Sequence, residues 1–226
     1  MRVSVCIPTY EMKGKGSLFL GRLFHSLAMQ TFQDFEVVVA DHSTDDEIQN
    51  LCKSWESDLR IKYVSNNYKR GKISANLNVA ISSSSGEIID FMMQDDYYAD
   101  VYSLQKRVDN LGERDWALSS TMHFNGSQYW WHLVPSWRDD IYLGFNSIGS
   151  PALLTVKNSE KLPKFDEELF LLTDCDYFKQ LYLLFGEPKI IADVTVISYM
   201  WEGNSQKDVS EEKKNEEIKI VKAKYE

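Results

Sequence analysis

Two short runs constrain this chain more than anything else in it. VSVCIPTY and FEVVVAD, ending near Pro8 and at Asp41, are apolar and rich in β-branched residues, and neither shows the clean apolar/polar alternation of a half-exposed strand. Runs of this kind read as strands buried on both faces, which is the habit of a parallel sheet. Between them Leu20, Leu23, Phe24 and Leu27 recur at helical spacing, giving a β-α-β unit. HSTDDEIQNLCKSW then opens with cap-type residues before a second helix, and LRIKYVS supplies a third strand. A third helix over about 73–82 precedes GEIIDFMMQDD, a fourth strand whose end carries two adjacent carboxylates.

Strands alternating with helices predict an α/β fold in which ligands sit outside the carboxyl ends of the strands. Asp41, Asp95 and Asp96 are all expected there. The second half is less regular and reads as mixed strands with one long helix. The last stretch, SQKDVSEEKKNEEIKIVKAKYE, turns rich in Lys and Glu and reads as a solvated helix, or as a linker to a further domain.

Composition narrows the function classes. The 226 residues are 43% hydrophobic, enough for one substantial core. With Lys+Arg 25 against Asp+Glu 34 the net charge is -9, and no basic groove is visible, so nucleic acid is not an expected partner. The three cysteines, Cys6, Cys52 and Cys175, are far apart and odd in number, which suggests neither a disulfide framework nor a zinc knuckle and fits a cytoplasmic setting. No apolar run approaches a membrane span or a signal peptide.

Two carboxylates at the end of a buried strand repel each other and are costly to desolvate unless a cation compensates them. Mg²⁺ suits this arrangement, because it takes one or two protein carboxylates and completes its shell with water and substrate phosphates. The plainer reading of an isolated Asp-Asp is a loop start.

The order of the pieces favours the first reading. VSVCIPTYE, SLAMQTFQDFEVVVADHSTDDE, GKISANLNVAISSSSGEIIDFMMQDD and FDEELFLLTDCDYF occur in series over residues 1–205, and together they resemble the inverting family 2 nucleotide-sugar glycosyltransferases. The resemblance implies a single compact GT-A domain: a Rossmann-like nucleotide half over 1–98 with a mainly parallel central sheet, an acceptor and catalytic half over 99–205, and the polar tail over 206–226.

Carried onto this chain, the family pattern implies nucleotide contacts from Pro8, Thr9, Tyr10 and Glu11, and from Asp41 to the base edge, with His42 standing where the family has glycine. Asp41 also suits a helix N-cap. GKISANLN matches the family's GKxxALN, which implicates Lys69, Arg70 and Lys72 near the diphosphate, Gly71 for close backbone approach, and Asn78 at the site or buttressing it. The basic trio reads equally as a solvated loop.

MMQDD falls on the family's DxDD with Met93 at the first acidic place. Asp95 and Asp96 are therefore the implied ligands of Mn²⁺ or Mg²⁺, with Asp95 also near the nucleotide. LLTDCDYF matches the segment whose Asp serves as base, which implicates Asp174, with Asp176 the weaker candidate. A late family histidine is replaced here by Met200 and Trp201, so the metal site should be sparse and its affinity weak without nucleotide.

Tyr129, Trp130, Trp131 and Trp137 offer an acceptor platform, although packed aromatics are commoner than ligand platforms. Gly149 and Ser150 match the acceptor-side loop. The implied reaction moves a sugar from a nucleoside diphosphate, UDP by expectation, to a glycan or other hydroxyl acceptor with inversion. Met93 and the missing histidine motivate a second reading, a nucleotide-binding module without catalysis. Nucleotidyl transfer ranks lower, because PTYEMKGKGS lacks a compact phosphate loop.

Overall fold

A computed structural model describes residues 1–203 and 210–226. The two opening runs are strands β1 (Val3–Thr9) and β2 (Phe35–Asp41), and every residue of both is buried. Their side chains alternate between two cores. Val3, Val5, Ile7, Val37 and Val39 point to one face of the sheet, and Cys6, Val38 and Ala40 to the other, which is why both sets of positions are apolar.

Helix α1 (Gly16–Ala28) buries Leu20, Leu23, Phe24 and Leu27 on the first face. At ~1.5–3 kcal/mol for each fully buried side chain, that stripe is worth ~6–12 kcal/mol before the entropy cost of ordering it. Helix α2 (Glu47–Ser54) adds Ile48 and Cys52 to this face. Strand β3 (Ile61–Ser65) follows, and helix α3 (Ile73–Ser83) crosses to the opposite face, where Leu77 and Ala80 pack. Strand β4 (Ile88–Phe91) then pairs with β1.

The first four strands run parallel in the order β3-β2-β1-β4. Because β2 and β4 flank β1, the loops leaving β1 and β4 diverge, and a crevice opens between them at the strands' carboxyl ends.

Beyond β4 the sheet becomes mixed. It continues through β8 (Leu154–Lys157), β6 (Trp116–Phe124), β9 (Lys189–Tyr199) and β5 (Tyr97–Tyr98), with β7 (Tyr129–Leu133) pairing to the outer part of β6. Helix α4 (Ser103–Leu111) covers the first face and α5 (Thr173–Phe185) the second. The two halves therefore share one sheet and the same two cores. A buried polar knot crosses the join: Arg107 of α4 pairs with Asp90 of β4 at 2.9 Å and donates to the Ala152 and Leu154 carbonyls, while Tyr98 donates to the other oxygen of Asp90 at 2.6 Å.

The Lys/Glu-rich tail is helical. Helix α6 (Glu211–Tyr225) is capped by Ser210, and it is not solvated all round, since Glu217 and Val221 are buried against the segment before α5. The start of the expected tail, residues 206–209, lies outside the described residues. Among the described residues no helix is long and apolar enough to cross a membrane.

Candidate active site

The carboxyl ends of β1, β2 and β4 converge, and hydrogen bonds fix their loops. Thr9 ends β1 beside Asp41, the last residue of β2, and donates to its Oδ1 at 2.9 Å. Pro8 is buried one residue earlier, paired in register with Ala40. Ser43 donates to the same Asp41 oxygen through its backbone N–H and hydroxyl, at 3.1 and 2.7 Å. Tyr63 donates to Asp41 Oδ2 at 2.9 Å.

Asp41 thus turns the chain locally, yet among the described residues Oδ2 holds a single partner and retains acceptor capacity. Glu11 accepts from the backbone N–H and hydroxyl of Thr44, tying the loop after β1 to the loop after β2. Burial works to raise its pKa, but these bonds outweigh it and hold the carboxyl below its usual range.

His42, at the place the family gives to glycine, has its ring nitrogen 2.9 Å from the Asn66 side-chain amide and 3.2 Å from the Tyr68 carbonyl. Burial lowers its pKa, which favours the neutral ring.

Lys69 adopts positive φ just before Gly71, and the turn displays three cations. Lys69 lies 2.9 Å from Glu168 and 3.2 Å from Glu167, while Lys72 donates to the Glu168 carbonyl at 3.3 Å. Arg70 reaches back over the Asp41 loop to the Ser43 carbonyl at 3.3 Å and to Asn67. Asn78 is turned the other way on α3, exchanging hydrogen bonds with the backbone of Phe165 and donating to Glu167. It therefore braces the segment leading to α5, as a buttress does. Asn76, two residues earlier and on the opposite side of the helix, is the one that donates to the Thr9 and Ala40 carbonyls.

After β4, Met93 is half-buried and packs against the edges of both cores. Gln94 locks the crevice: it accepts from the Tyr10 N–H at 2.9 Å and donates to the Tyr10 and Gly16 carbonyls. The Tyr10 ring is exposed, and burial of its hydroxyl together with the nearby Asp95 charge raises its pKa.

Asp95 accepts from the Trp201 indole at 3.0 Å and Asp96 from the Tyr199 N–H at 3.0 Å. Arg22 is the nearby cation. It donates to the Asp95 carbonyl and stacks 4.1 Å from the Tyr199 ring. Burial raises the pKa of both carboxyls, and the charge of Asp95 pushes Asp96 further up. Two desolvated carboxyls with one guanidinium nearby form a site short of positive charge, and their hard oxygen donors fit Mg²⁺ or Mn²⁺. Among the described residues no cluster of three acidic, His or Cys side chains could hold a metal ion unaided, so a bound ion would complete its shell from diphosphate and water. The segment where the resemblance leads us to expect a late histidine reaches this pair through the Tyr199 backbone and the Trp201 indole, which bring N–H donors.

Asp174 lies in the first turn of α5. One oxygen accepts from Asn146 at 3.2 Å and the other from the Cys175 N–H at 3.1 Å. Burial pushes its pKa up to about 6 against the pull of these donors. Asp176 faces inward and is fully buried, accepting from Lys224, Tyr225 and Gln180. It ties α5 to α6.

Asn146 also holds the acceptor-side loop, accepting from Ile148 and Gly149. Gly149 sits at φ 106°, and a Cβ there would press on Leu133 and Leu153 at 3.0 Å. The Ser150 hydroxyl accepts from the Ala152 N–H as a cap. Tyr129, Trp130 and Trp131 are about half exposed on β7: the Trp130 and Trp131 rings stack on each other and pack against His123, Tyr129 stacks on Phe124, and each leaves a face to solvent. Trp137 by contrast stacks on Tyr182 at 4.2 Å and is part of the packing.

A parallel sheet with a crevice at its carboxyl ends, a carboxylate pair after β4 of which Asp96 is buried and Asp95 half-buried, and a second half built on the same sheet is the GT-A arrangement. The chain belongs to Glycosyl transferase family 2, which it matches over residues 4–164. A β-1,3-glucosyltransferase of Campylobacter jejuni acting on GalNAc(5)-diNAcBac-PP-undecaprenol is 32% identical over 97 residues, covering 42% of this chain and 30% of that protein. The poly(ribitol-phosphate) β-N-acetylglucosaminyltransferase TarS of Staphylococcus aureus is 31% identical over 99 residues, covering 43% of this chain and 17% of TarS. The crystal structure of TarS 1-349 with UDP-GlcNAc superposes with a TM-score of 0.78 at 24% identity, covering 99% of this chain and 66% of that one. A mannosyltransferase of Pyrobaculum calidifontis, solved with GDP-Man and Mn²⁺, shares the fold with a TM-score of 0.61 at 18% identity, covering 87% of this chain and 56% of that one. This chain is thus shorter than each of these relatives.

Proposed function

We propose that this protein transfers a sugar from a UDP-linked donor to an acceptor hydroxyl with inversion, and that Asp174 is the general base. The observation that carries the reading is the state of Asp174: a partly accessible carboxyl at a helix start, oriented by Asn146, with its pKa pushed up to about 6. A base with a pKa near the working pH is both ionised and able to hold the proton it takes, and such a group contributes ~10²–10⁴-fold.

In this reading Asp174 takes the acceptor's proton as its oxygen attacks the anomeric carbon, and the nucleoside diphosphate leaves from the opposite side in one displacement. No covalent enzyme intermediate forms. Asp41 Oδ2 accepts from the base, Tyr10 and Glu11 border the nucleotide, and Arg70 and Lys72 face the developing diphosphate charge, with Lys69 holding the neighbouring loop. Asp95 and Asp96 hold Mn²⁺ or Mg²⁺, which when bound supplies positive charge to the leaving diphosphate. Trp130 and Trp131 offer flat faces to the C–H faces of an acceptor sugar. Gly149 and Ser150 shape the loop below, and Asn78 acts by bracing. A binding-only module is not favoured, because the chain belongs to a glycosyltransferase family and Asp174, where the resemblance expects the base, is a partly accessible carboxyl with a raised pKa.

A thermal-shift screen of UDP, GDP, UDP-GlcNAc and UDP-glucose with and without Mn²⁺ tests the donor. A ligand that binds only the native state at about 100 times its Kd stabilises by about 2.7 kcal/mol. UDP compounds should shift the melt more with Mn²⁺ than without it. A response to GDP alone would overturn the base assignment, and in a parallel turnover assay with Mn²⁺, no nucleotide release from any sugar nucleotide tested would overturn the transferase.

A further inference from the structure

The chain's most polar segment makes its most specific contacts. Glu217 of α6 is buried, and its carboxylate accepts three successive backbone N–H groups, from Phe170 at 2.9 Å, Leu171 at 2.8 Å and Leu172 at 3.0 Å. These amides lead directly into α5, whose N-cap position is Leu172 and has no side-chain cap of its own. Glu217 therefore fixes the two residues before α5 together with its N-cap residue, setting the path by which the chain enters the helix, and it places negative charge near the helix N-terminus, where such charge is favourable.

Two residues past Asp174, Asp176 accepts from Lys224 at 2.9 Å and from the Tyr225 hydroxyl at 2.7 Å. Val221 fills the space between these grips against Leu169 and Leu172, and the Tyr142 and Tyr225 rings pack edge to face at 5.1 Å. Asp174 thus lies between two clamps, one on residue 172 and one on residue 176, both made by α6.

We propose that α6 is a positioning element for catalysis, with Glu217 and Tyr225 holding the first turn of α5 so that Asp174 meets the acceptor hydroxyl. The proposal rests on the reading of Asp174 as base. A buried carboxylate is tolerated only when its charge is well hydrogen-bonded. Three N–H donors satisfy Glu217, and removing it leaves those donors without a partner. The Glu217 charge also adds to the effect of burial in keeping the Asp174 proton bound.

The test uses the full chain with Glu217→Ala, Glu217→Gln, Tyr225→Phe and, as a reference, Asp174→Asn. UDP release from a UDP-sugar with water as acceptor gives kcat and KM, calorimetry gives UDP affinity, and hydrogen exchange reports the peptide covering about 166–178. Misplacing a reacting group by about 1 Å costs up to ~10²-fold, so Glu217→Ala should lower kcat by about 10–100-fold. Donor KM and UDP affinity should change by only about two- to threefold, since Asp41, Glu11 and Arg70 lie on other loops and Lys72 meets the loosened segment only through the Glu168 carbonyl. Exchange should rise at 166–178, and Glu217→Gln, which keeps an acceptor oxygen, should recover part of kcat.

Wild-type kcat in Glu217→Ala, or a parallel loss of kcat and UDP affinity, overturns the proposal. If Glu217→Ala does not fold, Tyr225→Phe and Glu217→Gln are judged by the same criteria. Asp174→Asn separates the two ideas. Full turnover in that variant refutes the base reading and with it the catalytic role of α6, whereas a dead Asp174→Asn beside an unimpaired Glu217→Ala refutes the positioning role alone.

Discussion

Replacing Asp174 by Asn should slow turnover and, at neutral pH and above, slightly stabilise the protein. Burial raises the Asp174 pKa from 3.8 to about 6, a difference equivalent to about 3 kcal/mol of unfavourable charge burial. The side chain keeps some access to water, and screening reduces this to about 1–2 kcal/mol. Asn retains the Cys175 N–H on its carbonyl oxygen but presents N–H toward the Asn146 amide. Asn146 cannot flip in response, because its own oxygen already accepts from Ile148 and Gly149. Loss of that bond gives back about 1 kcal/mol, leaving a net gain of up to about 1 kcal/mol.

The pH dependence gives this prediction its sign. The folded pKa lies above the unfolded one, so the charge penalty is complete above the folded value and disappears as pH falls from about 6 through 3.8. Wild type should therefore melt below the variant by up to about 4 °C at alkaline pH, with the gap closing or reversing near pH 4. Calorimetric melts of both proteins across that range read the difference, and shifts from all other groups cancel. In parallel, kcat should fall by ~10²–10⁴-fold, and wild-type kcat should rise with pH through about 6. A pH-independent melting difference, or a less stable variant at alkaline pH, would refute the argument that burial of charge sets the pKa of Asp174.

Arg107→Met strands the fully buried Asp90 without its cation and should cost about 3–5 kcal/mol by denaturant unfolding. Trp130→Ala and Trp131→Ala remove exposed rings, so stability should change by about 0.5 kcal/mol or less, while KM for a saccharide acceptor rises. Asp96→Asn should abolish the Mn²⁺-dependent part of the UDP thermal shift and leave the Mn²⁺-independent part in place, because Asp96 and Asp41 follow different strands and are held by different partners.

Much of the first half was legible because its signals are local. The continuous apolar strands, the helical stripe of α1 and the acidic end of β4 each follow from side-chain period and burial. Their order was enough to match a family and carry over Asp41, Asp95, Asp96 and Asp174. Residues whose role depends on distant backbone were not legible. Asn76 and Asn78 sit in one short motif, but only the crossing of α3 over the strand ends decides which faces Thr9 and which faces Phe165. Gln94 sits among more conspicuous carboxylates, and its amide geometry matches a peptide group that only the fold brings beside it.

The tail shows the division most clearly. Its Lys/Glu composition determined a polar segment able to form a helix, and nothing within it marks Glu217 off from its acidic neighbours. Propensity and capping depend on residues a few places apart, so sequence alone settles that kind of structure. Burial of a charge depends on which N–H groups another segment brings to it. The tertiary structure placed Phe170, Leu171 and Leu172 against one glutamate, and so joined a tail readable as a linker to the helix that carries Asp174.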